Sequence, residues 1–420
     1  MIRRHLQSTV VDSLRHFPVV LLVGARQVGK STLVQEIARN EWSAQYLTLD
    51  DRTILDAALT NPDGFLQALE RPVILDEVQR APDLLRAVKL IVDRHRQPGM
   101  FLLTGSANVL TLAKVSETLA GRVAVHELHP FSWAEFAGQR QADFVDRLFT
   151  ATRAQDVLAR RPRRSPVERG REIQQLILTG GFPPPALMEA ESARRTWFDS
   201  YRQTYIERDL RDLANIHNLP EFNRLLTMLA LRTAQLLNLS EFSRDIGLPV
   251  TTLRRYFHLL EQTYQLFLLP PYSANLGKRL IKTQKVYAAD TGLACYFGAG
   301  DSWETLVRQN RVGMLVETWV ANELHRLLSV SSWRTHLSYW RTSTGQEVDF
   351  LLERGGEVVG IEVKWGAGFK AQDLAGLTSC RTLLGKRWRF GIFLHNGTET
   401  VAIDEQTLAV PFSVFFGREG

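Results

Sequence analysis

The sequence predicts an α/β fold whose first domain is built on buried parallel strands, with helical and mixed segments following it. Three observations carry that prediction. A glycine-containing loop at residues 24–31 joins an apolar run to an amphipathic one. A second apolar run ends in the paired carboxylates Asp76 and Glu77. Late in the chain, acidic and apolar residues alternate through Glu347-Val348-Asp349-Phe350 and again through Ile361-Glu362-Val363-Lys364.

The loop reads Gly24-Ala25-Arg26-Gln27-Val28-Gly29-Lys30-Ser31, a complete G-x-x-x-x-G-K-[ST] pattern. Phe17 to Val23 before it reads as a buried strand. Thr32 to Arg39 after it reads as a helix with Leu33, Ile37 and Ala38 on one side. Gly24 and Gly29 free the backbone to turn successive N–H groups toward one phosphate, and the N-terminus of the next helix adds partial positive charge. Lys30 then reaches the β- and γ-phosphates and the Ser31 hydroxyl can ligate Mg²⁺, with Thr32 beside it. The expected ligand is ATP.

Arg71 to Leu75 repeats the buried-strand pattern and exposes Asp76 and Glu77 at its end. Two acids there suit a nucleotide site, because buried carboxylates are costly without a partner. Asp76 would hold Mg²⁺, and Glu77 would orient or deprotonate water. Met100 to Leu103 predicts a third strand ending in Thr104-Gly105-Ser106, small polar residues placed to sense a γ-phosphate. Arg122 precedes a fourth strand, Val123 to Leu128. It sits where an arginine can project toward a neighbouring subunit's nucleotide, or form an ordinary salt bridge.

Composition agrees with an intracellular multidomain enzyme. The chain has 420 residues, of which 45% are hydrophobic and 23% charged, enough to bury two or three cores. Cys295 and Cys380 are far apart, so no disulfide framework or cysteine-based zinc site is expected. The basic start, Met1-Ile2-Arg3-Arg4, runs into core strand and does not read as a signal peptide. No apolar run approaches the roughly 20 residues a membrane helix needs. A cytoplasmic location with no membrane partner is expected. The formal net charge of +6 permits a polyanionic partner.

Composition shifts divide the chain into residues 1–135, a core around the loop; 136–219, a helical lid or linker; 220–299; and 300–420. The run Arg160 to Pro166 reads as an exposed linker. Within 220–299, Phe222 to Ala234 gives one amphipathic helix. Ser240 to Gly247 gives a second, with Ser240 as cap and Gly247 as stop. Thr251 to Gln262 gives a third, and Tyr264–Leu269 and Lys285–Ala289 read as strands flanking a basic loop. This is the pattern of a winged helix-turn-helix, in which the third helix enters the major groove. Arg254, Arg255 and Lys282 are the candidate DNA contacts. Packing against other parts of the protein is the equal alternative.

In the last region, Leu315 to Leu324 reads as a helix carrying Glu317. Strand-like runs follow at Leu337–Arg341, Glu347–Leu352 and Val358–Trp365. Period-2 alternation puts Glu347 and Asp349 on one face of their strand, and likewise puts Glu362 and Lys364 on a common face of theirs. A hairpin through Arg354-Gly355-Gly356 would bring Asp349 beside Glu362. An Asp, then E-x-K on the next strand, with an upstream helical Glu, resembles the restriction-endonuclease-like nuclease fold. That resemblance implies that Asp349 and Glu362 bind Mg²⁺, that Lys364 polarises water or stabilises the phosphorane, and that Glu317 is an outer ligand. Paired carboxylates suit a hard cation in any case.

The order of the whole set resembles an AAA-type ATPase family with a C-terminal domain of unknown function. The matching segments are Gly24 to Thr32, Ile74-Leu75-Asp76-Glu77-Val78-Gln79, Leu102 to Ser106, Leu119 to Arg122, and His129-Pro130-Phe131-Ser132. The resemblance implies an ASCE-type P-loop fold and an oligomer of this chain. It leaves two functions open. One is ATP hydrolysis coupled to binding or cleavage of DNA or RNA. The other is a nucleotide switch that docks a protein partner and cuts nothing.

Overall fold

The computed structural model describes residues 2–106, 118–140, 142–157, 166–204, 219–273 and 283–417. The expected linker at Arg160 to Pro166 lies almost wholly outside them, as does the candidate contact Lys282. The chain divides into two units. The first is Met1–Pro130 with Leu259–Gln265, and the second is Phe131–His258 with Leu266–Gly420.

Five strands form the sheet of the first unit: β1 (Val19–Gly24), β2 (Gln45–Thr48), β3 (Val73–Asp76), β4 (Phe101–Ser106) and β5 (Val123–Glu127). Their order is β2-β3-β4-β1-β5, and every pairing is parallel. β1, β3 and β4 are apolar almost throughout because the sheet is covered on both faces, and every residue of β1 and β3 is buried. The helix Lys30–Asn40 buries Leu33, Val34 and Ile37, with Val34 rather than Ala38 completing the apolar stripe. The helix Leu84–Arg94 buries six residues of an apolar face. Because β4 lies between β1 and β3, the carboxyl ends of the loop strand, the sensor strand and the acid strand stand side by side. Ligands of open α/β sheets bind at such ends.

The second unit contains two sheets. β6 (Gln235–Leu236), β7 (Leu266–Leu269) and β8 (Lys285–Ala288) form a small antiparallel sheet in the order β6-β8-β7. The helices Leu219–Leu231 and Leu239–Ile246 belong to the same unit, as does the helix Val250–Gln262 up to His258. The middle helix is capped by Asn238, whose side chain accepts from the Ser240 and Glu241 N–H groups. Ser240 therefore lies inside the helix and is not its cap. Gly247 ends that helix at φ 85°, a conformation glycine adopts without a Cβ penalty.

The larger sheet comprises β9 (His336–Arg341), β10 (Glu347–Arg354), β11 (Glu357–Val363), β12 (Trp388–His395), β13 (Val401–Asp404) and β14 (Thr407–Pro411), in the order β13-β14-β12-β11-β10-β9. β9, β10 and β11 form an antiparallel meander. β12 pairs in parallel with both β11 and β14. The β10–β11 turn is Gly355-Gly356, both at positive φ (59° and 89°), as a two-residue hairpin requires.

The three segments expected after residue 135 share one hydrophobic core. Phe144, Leu148 and Ile177 join Ala230 and Tyr287, the helix residues Leu315, Trp319 and Leu324, and the sheet residues Phe350, Ile361 and Phe412. The reason is the helix Val312–Ser329, whose Leu315, Val316, Thr318, Trp319, Val320 and Ala321 are all buried. A helix that is apolar around most of its circumference must be covered on most of its circumference. The described residues of the expected lid thus pack inside the second unit, with Phe144 against Phe415 at 5.0 Å between ring centroids.

Candidate nucleotide site and acidic cluster

The loop 24–31 follows β1 and enters the helix Lys30–Asn40. Gly24 takes φ +147°, and a Cβ built there would lie 2.3 Å from the Leu128 carbonyl oxygen, so only glycine fits. Gly29 (φ 97°) and Gln27 (φ 62°) are also left-handed, which curls the loop. Arg4 fastens the loop from outside, donating to the Val28 carbonyl at 3.1 Å. Arg26 and Gln27 are exposed, whereas Ala25 and Val28 are buried.

Lys30 is buried and donates to the carbonyls of Gly24 at 3.0 Å and Ala25 at 2.9 Å. Burial lowers its pKa to about 8, against the opposing charges of Glu77 and Asp76. Asp76 is buried at the end of β3. It accepts from the Tyr46 hydroxyl at 2.6 Å and from the Thr104 hydroxyl. Burial first, and then the bond to Asp76, push the Tyr46 phenol up to about 12.

Glu77 sits at φ 62°, a strained backbone for a non-glycine residue and one concentrated at functional sites. Its N–H donates to the Thr104 hydroxyl at 3.1 Å. Its carboxylate accepts from Ser106 at 3.1 Å and from the Gln79 amide, which also donates to Ser106 at 2.7 Å. The structure therefore brings the loop, Lys30, Asp76, Glu77 and Thr104 to one sheet end. A loop whose Gly24 admits no Cβ, a lysine bonded among the described residues to backbone carbonyls, and a hydroxyl–carboxylate pair fit a nucleotide phosphate with its Mg²⁺.

Arg122, at the start of β5, is tied back within its own unit. It pairs with Asp93 at 2.6 Å and donates to the Ala120 carbonyl at 2.9 Å. Of its two expected roles, this geometry is the salt bridge.

In the second unit, the β10–β11 hairpin does place Asp349 beside Glu362. The Val363 N–H donates to Asp349 Oδ2 at 2.8 Å, and Lys364 Nζ lies 3.4 Å from Glu362 Oε1. β11 ends at Val363, so Lys364 lies past the strand. The centre of the cluster is a different lysine. Lys285, on β8, has a side chain only 3% exposed and lies 2.8 Å from Glu317 and 3.9 Å from Asp349; it also pairs with Glu347. Tyr287, two residues along β8, donates to the same Glu317 oxygen at 2.7 Å.

The residues do not fit a divalent ion as the sequence led us to expect. Among the described residues no group of three or more His, Cys, Asp or Glu is placed to hold a metal. Glu317 Oε1 already takes two donors, and an ammonium stands among the acids. Burial, with Asp349 nearby, pushes Glu362 up to about 9. Lys285 thus sets an ammonium beside Glu347 and Asp349, where the sequence led us to expect Mg²⁺ on Asp349 and Glu362.

Residues 16–137 match the AAA domain family. Residues 170–303 and 312–415 match two domains of unknown function, DUF8612 and DUF4143. The uncharacterized protein Rv2008c of Mycobacterium tuberculosis and Mb2031c of Mycobacterium bovis are each 32% identical over 363 residues, covering 86% of this chain and 74% of theirs. The chain belongs to this AAA-type ATPase family. An uncharacterized protein of Methanocaldococcus jannaschii, MJ1544, is 22% identical over 347 residues, covering 80% of this chain and 72% of its own. Among solved structures, a Walker-type ATPase of Pyrococcus abyssi is 18% identical (TM-score 0.44; 71% of this chain, 96% of that one). RuvB of Thermotoga maritima is 20% identical (TM-score 0.28; 63% and 87%).

Several residues of the ATPase escaped the sequence reading. Tyr46 is one aromatic on a short strand, with no local sign that it meets Asp76. Gln79 stands in the Asp76-Glu77-Val78-Gln79 string, where a polar side chain two residues past an acid is a usable signal. Lys285 and Tyr287 alternate along β8, and that alternation was the available sign of a polar face on an otherwise apolar strand. No helix among the described residues is long and apolar enough to cross a membrane.

Proposed function

We propose that the chain is an Mg²⁺-dependent ATPase whose hydrolysis is coupled to nucleic-acid binding by its second unit. The observation that carries the ATP half is the convergence of Lys30, Asp76, Glu77 and Thr104 at adjacent strand ends. Loop N–H groups and Lys30 would bind the phosphates, and Ser31 and Asp76 would hold Mg²⁺, which would supply charge neutralisation. Thr32 continues the phosphate-facing turn. Glu77 orients and deprotonates the attacking water, while Gln79, Ser106 and Thr104 hold Glu77 in place.

The nucleic-acid half is supported by the order helix, strand, helix, helix, strand, strand between Leu219 and Ala288, read as a winged helix-turn-helix. Its third helix buries Leu253, Tyr256 and Phe257 and leaves Arg254, Arg255 and His258 exposed. Arg255 covers the Tyr256 ring at 5.4 Å. Two arginines on the solvent face of a third helix suit phosphate contacts.

A second reading is favoured by one specific observation. Lys285 fills the acidic cluster, which suits a nuclease-like domain that docks a protein partner instead of cutting. Phosphate release measured with and without duplex DNA, single-stranded DNA and RNA separates the two. Stimulation of several-fold that Arg254→Ala/Arg255→Ala removes supports coupling. A basal rate indifferent to all three polymers overturns it in favour of the protein-docking switch.

A further inference from the structure

We propose that Lys285 is the resident cation of the acidic cluster, so that its ammonium braces β8 to the C-terminal sheet and keeps divalent metal out. The inference is independent of the ATPase reading, since every residue it uses lies in the second unit and outside the nucleotide site.

Each carboxylate of the cluster already has a basic partner. Glu317, from the helix Val312–Ser329, accepts from Lys285 and Tyr287 through one oxygen. Glu347 pairs with Lys285 on one side and with Arg341 at 3.0 Å on the other. Asp349 spends one oxygen on the Val363 N–H and turns the other toward Lys285. Glu362 pairs with Lys364. A hard dication needs several oxygen ligands with free lone pairs. Here it would have to enter beside a buried ammonium that cannot retreat into water. Lys285 also lies 5.6 Å from the Tyr339 ring centroid, so an aromatic face supports its charge from β9. One lysine thereby ties β8, β9, β10 and the helix Val312–Ser329 together. Its loss takes the ammonium away from the buried carboxylates of Glu317 and Asp349.

The test uses the full-length, nucleotide-free protein and Mn²⁺, titrated by calorimetry. Wild type and Asp349→Asn should behave alike, with no Mn²⁺ uptake that the substitution removes. Lys285→Met should gain a site at least tenfold tighter than any in wild type, and Lys285→Met/Asp349→Asn should lose it. Wild-type uptake that Asp349→Asn abolishes would overturn the proposal, as would a folded Lys285→Met that gains nothing. Thermal unfolding supplies a second readout if Lys285→Met folds poorly. Adding Glu317→Gln, which removes one excess charge, should raise the midpoint of Lys285→Met. A midpoint no higher than that of Lys285→Met alone would show that the lysine does not balance these acids.

Discussion

Lys30 in the first unit and Lys285 in the second are both buried ammonium groups near carboxylates, yet their proton affinities move in opposite directions. Burial lowers both. For Lys30 that effect wins, and its pKa settles at about 8, because its direct partners are two backbone carbonyls while Glu77 and Asp76 act only at longer range. For Lys285 the effect of burial is outweighed by Glu317, Asp349 and Glu347, and its pKa rises. Direct contact with acids makes a lysine a permanent structural cation. A lysine held by carbonyls beside open acids remains available for a ligand's phosphates. The same residue types thus make an open site in one unit and a closed one in the other.

The sharpest way to break this contrast is to remove the acid that the open site uses for chemistry. Glu77→Gln should keep ATP bound and slow hydrolysis by about 10²–10⁴-fold, the usual weight of a general base. Normal single-turnover hydrolysis would move the base elsewhere. Lys30→Ala should weaken ATP binding by roughly 10²-fold or more, because a charge-assisted contact to phosphate is lost in a water-poor site. Equilibrium binding of a fluorescent ATP analogue checks it. For the closed site, Lys285→Met should cost about 3–5 kcal/mol of stability, as when a buried pair loses one partner. Denaturant unfolding measures that loss.

The pH dependence sharpens the comparison further. Phosphate binds the protonated Lys30, whose free pKa lies at about 8. Below that pH the free lysine is already charged and affinity is flat. Above it, binding must take up a proton, and ATP affinity should fall by up to about tenfold per pH unit. A flat profile to pH 9.5 would show that Lys30 is not lowered in the free protein. The smallest effect belongs to Arg122→Ala. Its pair with Asp93 is exposed and screened by solvent, so it contributes little. Turnover should stay within a few-fold of wild type. A large loss that mixing with Lys30→Ala protein restores would instead make Arg122 an arginine acting in trans.

Legibility in the sequence followed the distance between partners. The loop at 24–31 and the pair at 76–77 are each contiguous, so their chemistry can be read as strings, and the strand before each announces its place at a strand's carboxyl end. Asp349 and Glu362 were legible because Gly355-Gly356 dictates a tight hairpin whose register follows from period 2. Lys285 was not, because its partners Glu317, Glu347 and Asp349 reach it only through tertiary packing from another sheet and a buried helix. The core shared by the segments after residue 135 was hidden for the same reason. Phe144, Ile177, Trp319 and Phe412 look like members of separate segments until one core collects them.

The most direct test of the contrast counts bound Mn²⁺ by electron paramagnetic resonance, with and without a non-hydrolysable ATP analogue. The account predicts one ion per chain, bound only with the nucleotide and lost in Asp76→Asn. An ion bound without nucleotide and lost in Asp349→Asn would contradict it.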